Sequence, residues 1–389
     1  MPFSTTRGFT IACLMLIVAC WPQTGSGQTT TAMEGAASEA PQSTNGGEAA
    51  ADSLAEKGNS WLPLPIIFYT PETKTGFGGM LMRVFRTPGS DLDSRASSLT
   101  LIGIYTTRKQ VLAFLPFDVY WQNDRRHLLG NLGFSKFPDF FYGIGNDTDS
   151  DAEEDFTART RYFEAIFQKQ VRPNLYVGPR LAYAHSEIIE VEADGLLAGD
   201  TVPGHEGGNL LGLGLVADWD SRDDNFYPLN GNLWQLLSTW YGSALGSDYD
   251  YSTLSLDLRH YRQVGQDQVL AFRGLAHFIG GSPPFQRYSL LGGMETMRGY
   301  YEGRFRDKHM IVFQTEYRRP LWRRLGVVFF GGVGDVANEI DRFTTGDLKT
   351  TVGWGLRFQM TSDEKINLRL DFGYGEDSSG MYITMNEAF

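Results

Sequence analysis

Cysteine is almost missing from this chain of 389 residues: there are two, Cys13 and Cys20, both near the N-terminus. No disulfide framework can therefore hold the remainder together. Beyond the N-terminus no apolar run reaches the ~20 residues that a membrane-spanning helix needs, which excludes a helical membrane protein. Lysine and arginine number 34 against 46 aspartates and glutamates, a formal net charge of −12. Such a chain lacks the basic surface that nucleic acid requires. The six histidines show no metal-ligand spacing. Gly-x-Ser-x-Gly, His-Glu-x-x-His and Walker-type signatures are missing too. No metal, no cofactor and no enzymatic role is expected.

What is present is glycine, 45 residues of it, and 13% aromatics. Arg7 followed by the apolar run 9–19 and then small residues reads as a secretory signal peptide over 1–27. Gly25-Ser26-Gly27 favours ordinary cleavage before Gln28, while Ile17-Val18-Ala19-Cys20 offers a relaxed lipobox that would lipidate Cys20. Residues 28–60 are rich in Ala, Gly, Ser, Thr and Glu and hold no aromatic. They cannot bury enough apolar surface to offset chain entropy, so a disordered tail is expected.

From Trp61 to Phe389 the pattern has a period of two. Val352, Trp354, Leu356 and Phe358 alternate with Gly353, Gly355 and Arg357. Leu368, Leu370 and Phe372 oppose Asn367, Arg369 and Asp371, and Leu254, Leu256 and Leu258 oppose Ser255, Asp257 and Arg259. In a strand such alternation separates a wet face from an apolar one. A soluble sandwich and a membrane barrel both satisfy it. Many segments run ten residues or more, the length of a tilted membrane strand. About sixteen strands can be placed, an even number as bacterial barrels have. The connections sort by parity. Odd ones such as 138–156, 188–207, 280–307 and 338–346 are long, whereas even ones such as 122–125, 172–173, 264–267, 319–323 and 361–364 are tight. Long extracellular loops alternating with short periplasmic turns is the outer-membrane pattern. The expected fold is therefore an all-β transmembrane antiparallel barrel over 61–389, in the bacterial outer membrane and in contact with its lipid.

Leu290-Leu291-Gly292-Gly293-Met294-Glu295-Thr296-Met297-Arg298-Gly299-Tyr300 sets an Arg-Gly-aromatic tip after a Gly-Gly pair, between two alternating strands. It resembles the signature loop of the Omp85 superfamily (bacterial surface antigen D15), outer-membrane barrels that insert or translocate other proteins. The resemblance implies an extracellular loop folded into the lumen, with Arg298 meeting acidic residues of the following strands. Gly299 would let the backbone turn and Tyr300 would pack beside it. Glu316 occupies the place of the family's strand carboxylate and by parity points inward with Gln314. The family's second carboxylate falls where this chain has Gly332, with Asp335 nearby on the opposite parity, so the second contact stays open.

The resemblance extends to an Asp/Arg-rich turn expected on the periplasmic side: Asp220, Arg222 and Asp223, then Pro228 and Gly231, a structural reversal. Phe389 reads as the aromatic closing an alternating strand with Met381, Ile383 and Met385, a signal for the barrel assembly machinery; Glu387 interrupts that face. The acidic stretch 146–155 departs from a calcium loop in lacking its glycine and twelfth ligand. His277 lies on a strand without a dyad motif around it. Larger relatives carry POTRA domains where this chain has its polar tail. The family's weak seam between first and last strands would join 64–70 to 381–389, and Pro63 and Pro65 remove donors at its start. The implied function is insertion of polypeptide clients into the outer membrane or translocation across it. The alternative is a passive pore or structural barrel without client handling.

Overall fold

The computed structural model describes residues 60–88, 97–224, 227–359 and 367–389. The signal peptide, Cys20 and all of the 28–60 tail except Ser60 lie outside the described residues. The chain forms β1 (Ser60–Thr70), β2 (Lys74–Phe85), β3 (Ser97–Thr106), β4 (Val111–Trp121), β5 (Arg126–Phe141) and β6 (Glu154–Arg172). There follow β7 (Leu175–Val191), β8 (Gly207–Asp220), β9 (Gly231–Tyr241), β10 (Tyr251–Gly265) and β11 (Gln268–Gly281). Two short strands, β12 (Ser289–Leu291) and β13 (Phe305–Asp307), precede β14 (His309–Trp322) and β15 (Leu325–Ala337). The last are β16 (Lys349–Gln359), β17 (Asn367–Gly375) and β18 (Ser378–Met385). All except β12 and β13 close into one antiparallel barrel of sixteen strands, each beside its neighbour in the chain, with β11 next to β14 and β1 next to β18.

The side-chain distribution is inverted relative to a soluble protein. Val352, Trp354, Leu356 and Phe358 of β16 are exposed on the outer face, as are Leu213 and Leu215 of β8. The buried inner face holds Asp257, Arg259, Arg273, Glu316, Arg318, Arg369 and Asp371. A water-facing sandwich would bury the first set and expose the second. A barrel with lipid outside and polar groups inside does the reverse, which decides between the two readings left open by periodicity.

The lumen is not polar throughout. On β1 to β4 the inward side chains are apolar as well, with Ile66, Phe68, Met80, Met82, Ile102 and Phe114 in one buried cluster. A barrel of 16 strands leaves room for an aqueous channel when its interior is open. Here the inward residues on every strand are largely buried, so the interior is filled by packed side chains and by the loop between β11 and β14.

Loop lengths follow the parity of the connections. The connections 142–153, 192–206, 282–308 and 338–348 lie at one end, and 122–125, 173–174, 266–267 and 323–324 at the other. The tight end also carries the longer connections 86–96 and 221–230, the latter with the Asp/Arg motif, and the other end has the short turns 71–73, 107–110 and 376–377.

The seam is thin. β1 pairs with β2 from Ser60 to Thr70, yet with β18 only at Tyr69↔Ile383. β18 stops at Met385, and Asn386 with φ 61° turns the chain inward. The expectation that Phe389 closes an alternating strand is therefore corrected. Phe389 is buried inside the barrel against Tyr227, Tyr261, Val269 and Ala271. Glu387 explains the departure: a carboxylate at that position has arginine partners in the lumen and none in lipid.

The outward face predicts a depth-dependent penalty for charge. Leu213→Arg, in the middle of β8, should destabilise the barrel by about 2–4 kcal/mol, read from the denaturant midpoint in phospholipid vesicles. An unchanged midpoint would contradict lipid contact at that position.

Candidate functional site

The connection between β11 and β14 folds back into the barrel. Its hairpin pairs Ser289 with Asp307 and Leu291 with Phe305. Leu291, Met297, Tyr300 and Phe305 pack on Leu275, Met310, Val312 and Val336 of the wall, so burial of the loop's apolar side holds it inside. At its root His277 Nδ1 lies 2.7 Å from Ser289 Oγ, whose hydroxyl is donated to the Lys308 carbonyl at 3.1 Å. Both side chains are buried. This pair anchors the hairpin to the wall.

The tip is set into the wall of β16 to β18. Gly299 has φ +119°, and a Cβ there would lie 2.9 Å from the Gly375 nitrogen. Its N–H donates to Tyr382 Oη at 3.1 Å, and Ser378 Oγ donates to its carbonyl at 2.6 Å. The wall makes room through Gly373 and Gly375, where a Cβ would meet the Arg298 carbonyl carbon at 2.6 Å and the Tyr300 ring at 2.5 Å. Tyr300 Oη donates to the Thr350 carbonyl at 3.0 Å and accepts from the Glu376 N–H at 2.8 Å.

Arg298 lies at the centre of a buried ionic network. Its Nη2 donates to Glu316 Oε1 and its Nη1 to Asp371 Oδ2 at 2.5 Å. Its guanidinium also stacks 3.6 Å from the Phe330 ring centroid. Glu316 Oε2 accepts from Arg318 Nε at 2.9 Å, and Asp371 Oδ1 accepts from Arg357 Nη1 at 2.5 Å. Arg357 Nε then donates to Glu387 Oε2 at 2.7 Å, and Arg318 Nη2 donates to the Phe389 main-chain oxygen at 2.5 Å. The loop tip is thus tied through β14, β16 and β17 to the inturned end of the chain.

The second carboxylate of Arg298 is Asp371 on β17. It is neither at Gly332 nor at Asp335, which accepts from Asn146 Nδ2 at 3.0 Å instead. The sequence signal for it was present, since Asp371 alternates with Leu370 and Phe372 and so faces inward. Its distance of 73 positions from Arg298 hid the pairing.

The other flank of the loop holds the opposite wall. The Glu302 N–H donates to Glu72 Oε1 at 3.0 Å, in the turn between β1 and β2, and Tyr301 Oη donates to Asp139 Oδ1 at 2.8 Å. Arg304 grips the acidic 146–155 loop by donating to Thr148 Oγ1 and to its carbonyl, each at 2.7 Å. One loop therefore bonds to β18 through Gly299 and to the β1–β2 turn through Glu302, on both sides of the thin seam. Burial pushes the Glu302 carboxyl well above its usual range, and the Glu72 carboxylate adds to the rise. Glu72 is raised by its own burial.

In the remaining motif, Arg222 Nε and Nη2 donate to Asp220 at 2.9 and 2.8 Å, and Asp223 Oδ1 accepts the Leu229 N–H at 2.9 Å. Pro228 is buried, and Gly231 has φ +112° where β9 begins. These residues brace a turn far from the loop tip.

A closed barrel with a charged interior and an arginine-tipped loop folded into it defines a class of β-barrel with an inward loop, a fold typical of bacterial outer-membrane proteins. The chain belongs to the Omp85 superfamily, whose domain model matches residues 95–389. Among the described residues there is no domain besides the barrel. The fold is similar to BamA from Haemophilus ducreyi lacking POTRA domains 1–3, with TM-score 0.59 and 14% identity over 84% of this chain and 70% of that one. It is also similar to CdiB from Acinetobacter baumannii (TM-score 0.55, 12% identity, 84% of this chain and 59% of that one). CdiB from Escherichia coli gives TM-score 0.55 at 9% identity, covering 84% of this chain and 62% of that one. This chain thus spans less than two thirds of either CdiB. No curated protein matches it by sequence.

Two outcomes follow from the geometry. Arg298→Ala leaves Glu316 and Asp371 facing each other's charge field with one cation fewer, a loss of about 3–5 kcal/mol for breaking a buried pair. Unfolding in detergent should show it, and a double-mutant cycle with Asp371→Ala should give a coupling of roughly 0.5–3 kcal/mol; additivity would contradict the pairing. For the Glu302–Glu72 contact, both folded-state values are raised. The hydrogen bond itself favours the ionised Glu72, whereas the stability tied to the two buried carboxyls in their protonated forms is complete below the ordinary carboxyl range and is lost as pH rises through the raised values. Amide exchange at 70–73 and 300–304 should therefore accelerate as pH rises above the ordinary carboxyl range, beyond the intrinsic pH effect, and Glu72→Gln should flatten that excess.

Proposed function

We propose that this protein inserts polypeptide clients into the bacterial outer membrane or moves them across it, and that it does so without catalytic chemistry. The observation that carries the reading is the seam: one paired position joins β1 to β18, and a single inward loop bonds to both sides of it. A strand edge that lacks its partner offers backbone donors and acceptors to another chain. Above Tyr69↔Ile383 the loop holds the flanks together; below it the β1 edge is free to template an incoming strand. Membership of the Omp85 superfamily and the similarity to BamA and CdiB support the same reading. The filled lumen speaks against a passive pore, because steady conductance needs an open water path.

The outer membrane is the proposed location, its lipid the surrounding phase, and the barrel assembly machinery the route of insertion for this chain itself. Outer membranes and culture medium from a deletion strain should show selective depletion of a small set of membrane or secreted proteins, restored by the wild-type gene and poorly by Arg298→Ala. An unchanged proteome, together with steady single-channel conductance of the purified protein, would overturn the client-handling reading in favour of a pore.

A further inference from the structure

A pocket of about 140 Å³ opens at the tight-turn end of β14 and β15, and five arginines line it: Arg318, Arg319, Arg323, Arg324 and Arg357. Among the described residues Asp267 is the one carboxylate in its lining. For a chain of net charge −12 this is a local inversion of sign. The inner wall belongs to the buried network, where, among the described residues, the guanidiniums of Arg298, Arg318, Arg357 and Arg369 meet the side-chain carboxylates of Glu316, Asp371 and Glu387 and the Phe389 main-chain oxygen. Arg318 Nη1 and Arg357 Nη2 are buried donors without an acceptor. A buried cation with an unused N–H favours an anion beside it.

The outer rim has a different character. Arg319 shares the lipid-facing parity of Phe313 and Leu321 on β14, and Arg323 and Arg324 form the exposed turn. Trp322 is 64% exposed, and the Arg323 guanidinium sits 4.9 Å from its ring centroid. Exposed Leu321, Trp322 and Leu325 beside three arginines mark the level where acyl chains meet headgroups. The pocket thus connects an aromatic, basic rim at the membrane interface with unfilled donors on the lumen side.

We infer that this pocket binds a phosphate group, held by Arg318 and Arg357 from the inside and by Arg319, Arg323 and Arg324 from the rim. Its source is the headgroup of an anionic phospholipid in the periplasmic leaflet, a step that rests on the outer-membrane reading above. A bound headgroup would accept from the unused N–H groups of Arg318 and Arg357 and anchor the end of β14 that carries Glu316 and Arg318. Arginine suits this task because its planar donors match phosphate oxygens.

The test uses the full-length processed chain in mild detergent, with native mass spectrometry counting bound phosphatidylglycerol against phosphatidylcholine, and inorganic phosphate as competitor. One retained phosphatidylglycerol is expected, with affinity lowered on the order of 10- to 100-fold in the triple variant Arg319→Gln, Arg323→Gln, Arg324→Gln. These side chains are exposed, so the variant should fold, and co-flotation with vesicles checks its insertion separately. Failure to float would count against the membrane reading and not against the site. Inorganic phosphate binding that depends on the same arginines, without lipid retention, would assign the site to free phosphate and overturn the headgroup source. Equal retention of both lipids, or a triple variant that binds as the wild type does, would overturn the inference altogether.

Discussion

Everything distinctive about this barrel depends on one buried guanidinium. Arg298 reaches the wall from a loop that starts and ends at the opposite rim, and its two carboxylates come from β14 and β17. Taking a cation out of water is costly, and only well-placed acceptors with fixed geometry offset that cost. The pairing therefore demands that the loop adopt one path. It also demands room for its backbone, which Gly373 and Gly375 supply by leaving no Cβ where Arg298 and Tyr300 lie.

That constraint makes the loop a structural tie across the weakest join. A closed sheet normally owes its integrity to extended ladders, and here fifteen joins have them while the last has a single paired position. The loop replaces ladder bonds with side-chain and main-chain contacts to both flanks, Tyr382 and Ser378 on one and Glu72 on the other. The inturned segment 386–389 is caught in the same network through Glu387 and the Phe389 main-chain oxygen. Loop, seam and chain end are thus one mechanical unit, and a change at Arg298 is felt at all three.

The architecture was legible before any coordinates because lipid enforces a strict alternation. Val352, Trp354, Leu356 and Phe358 could be read as one outward row, and the parity of loop lengths oriented the barrel. The count of about sixteen strands read from the pattern is the count in the barrel. What could not be read was pairing across the lumen. Asp371 carries the same alternation signal as any inward residue, and nothing local ties it to Arg298. Phe389 was misplaced for a related reason. Its spacing continues the row of Met381 and Ile383, and only the left-handed turn at Asn386 and the arginines waiting for Glu387 take it off the strand. The apolar inner faces of β1 to β4 also defeat a period-two reading, since both faces there are hydrophobic.

The central claim is that Arg298, through the loop, keeps β1 against β18. Cysteines at the one paired position, Tyr69→Cys with Ile383→Cys in a background without Cys13 and Cys20, report that directly through the rate of disulfide formation in membranes. The account predicts rapid closure in the otherwise wild-type chain and a clear slowing when Arg298→Ala is added. Equal rates in both would show that the seam holds without the loop, and would contradict the account at its base.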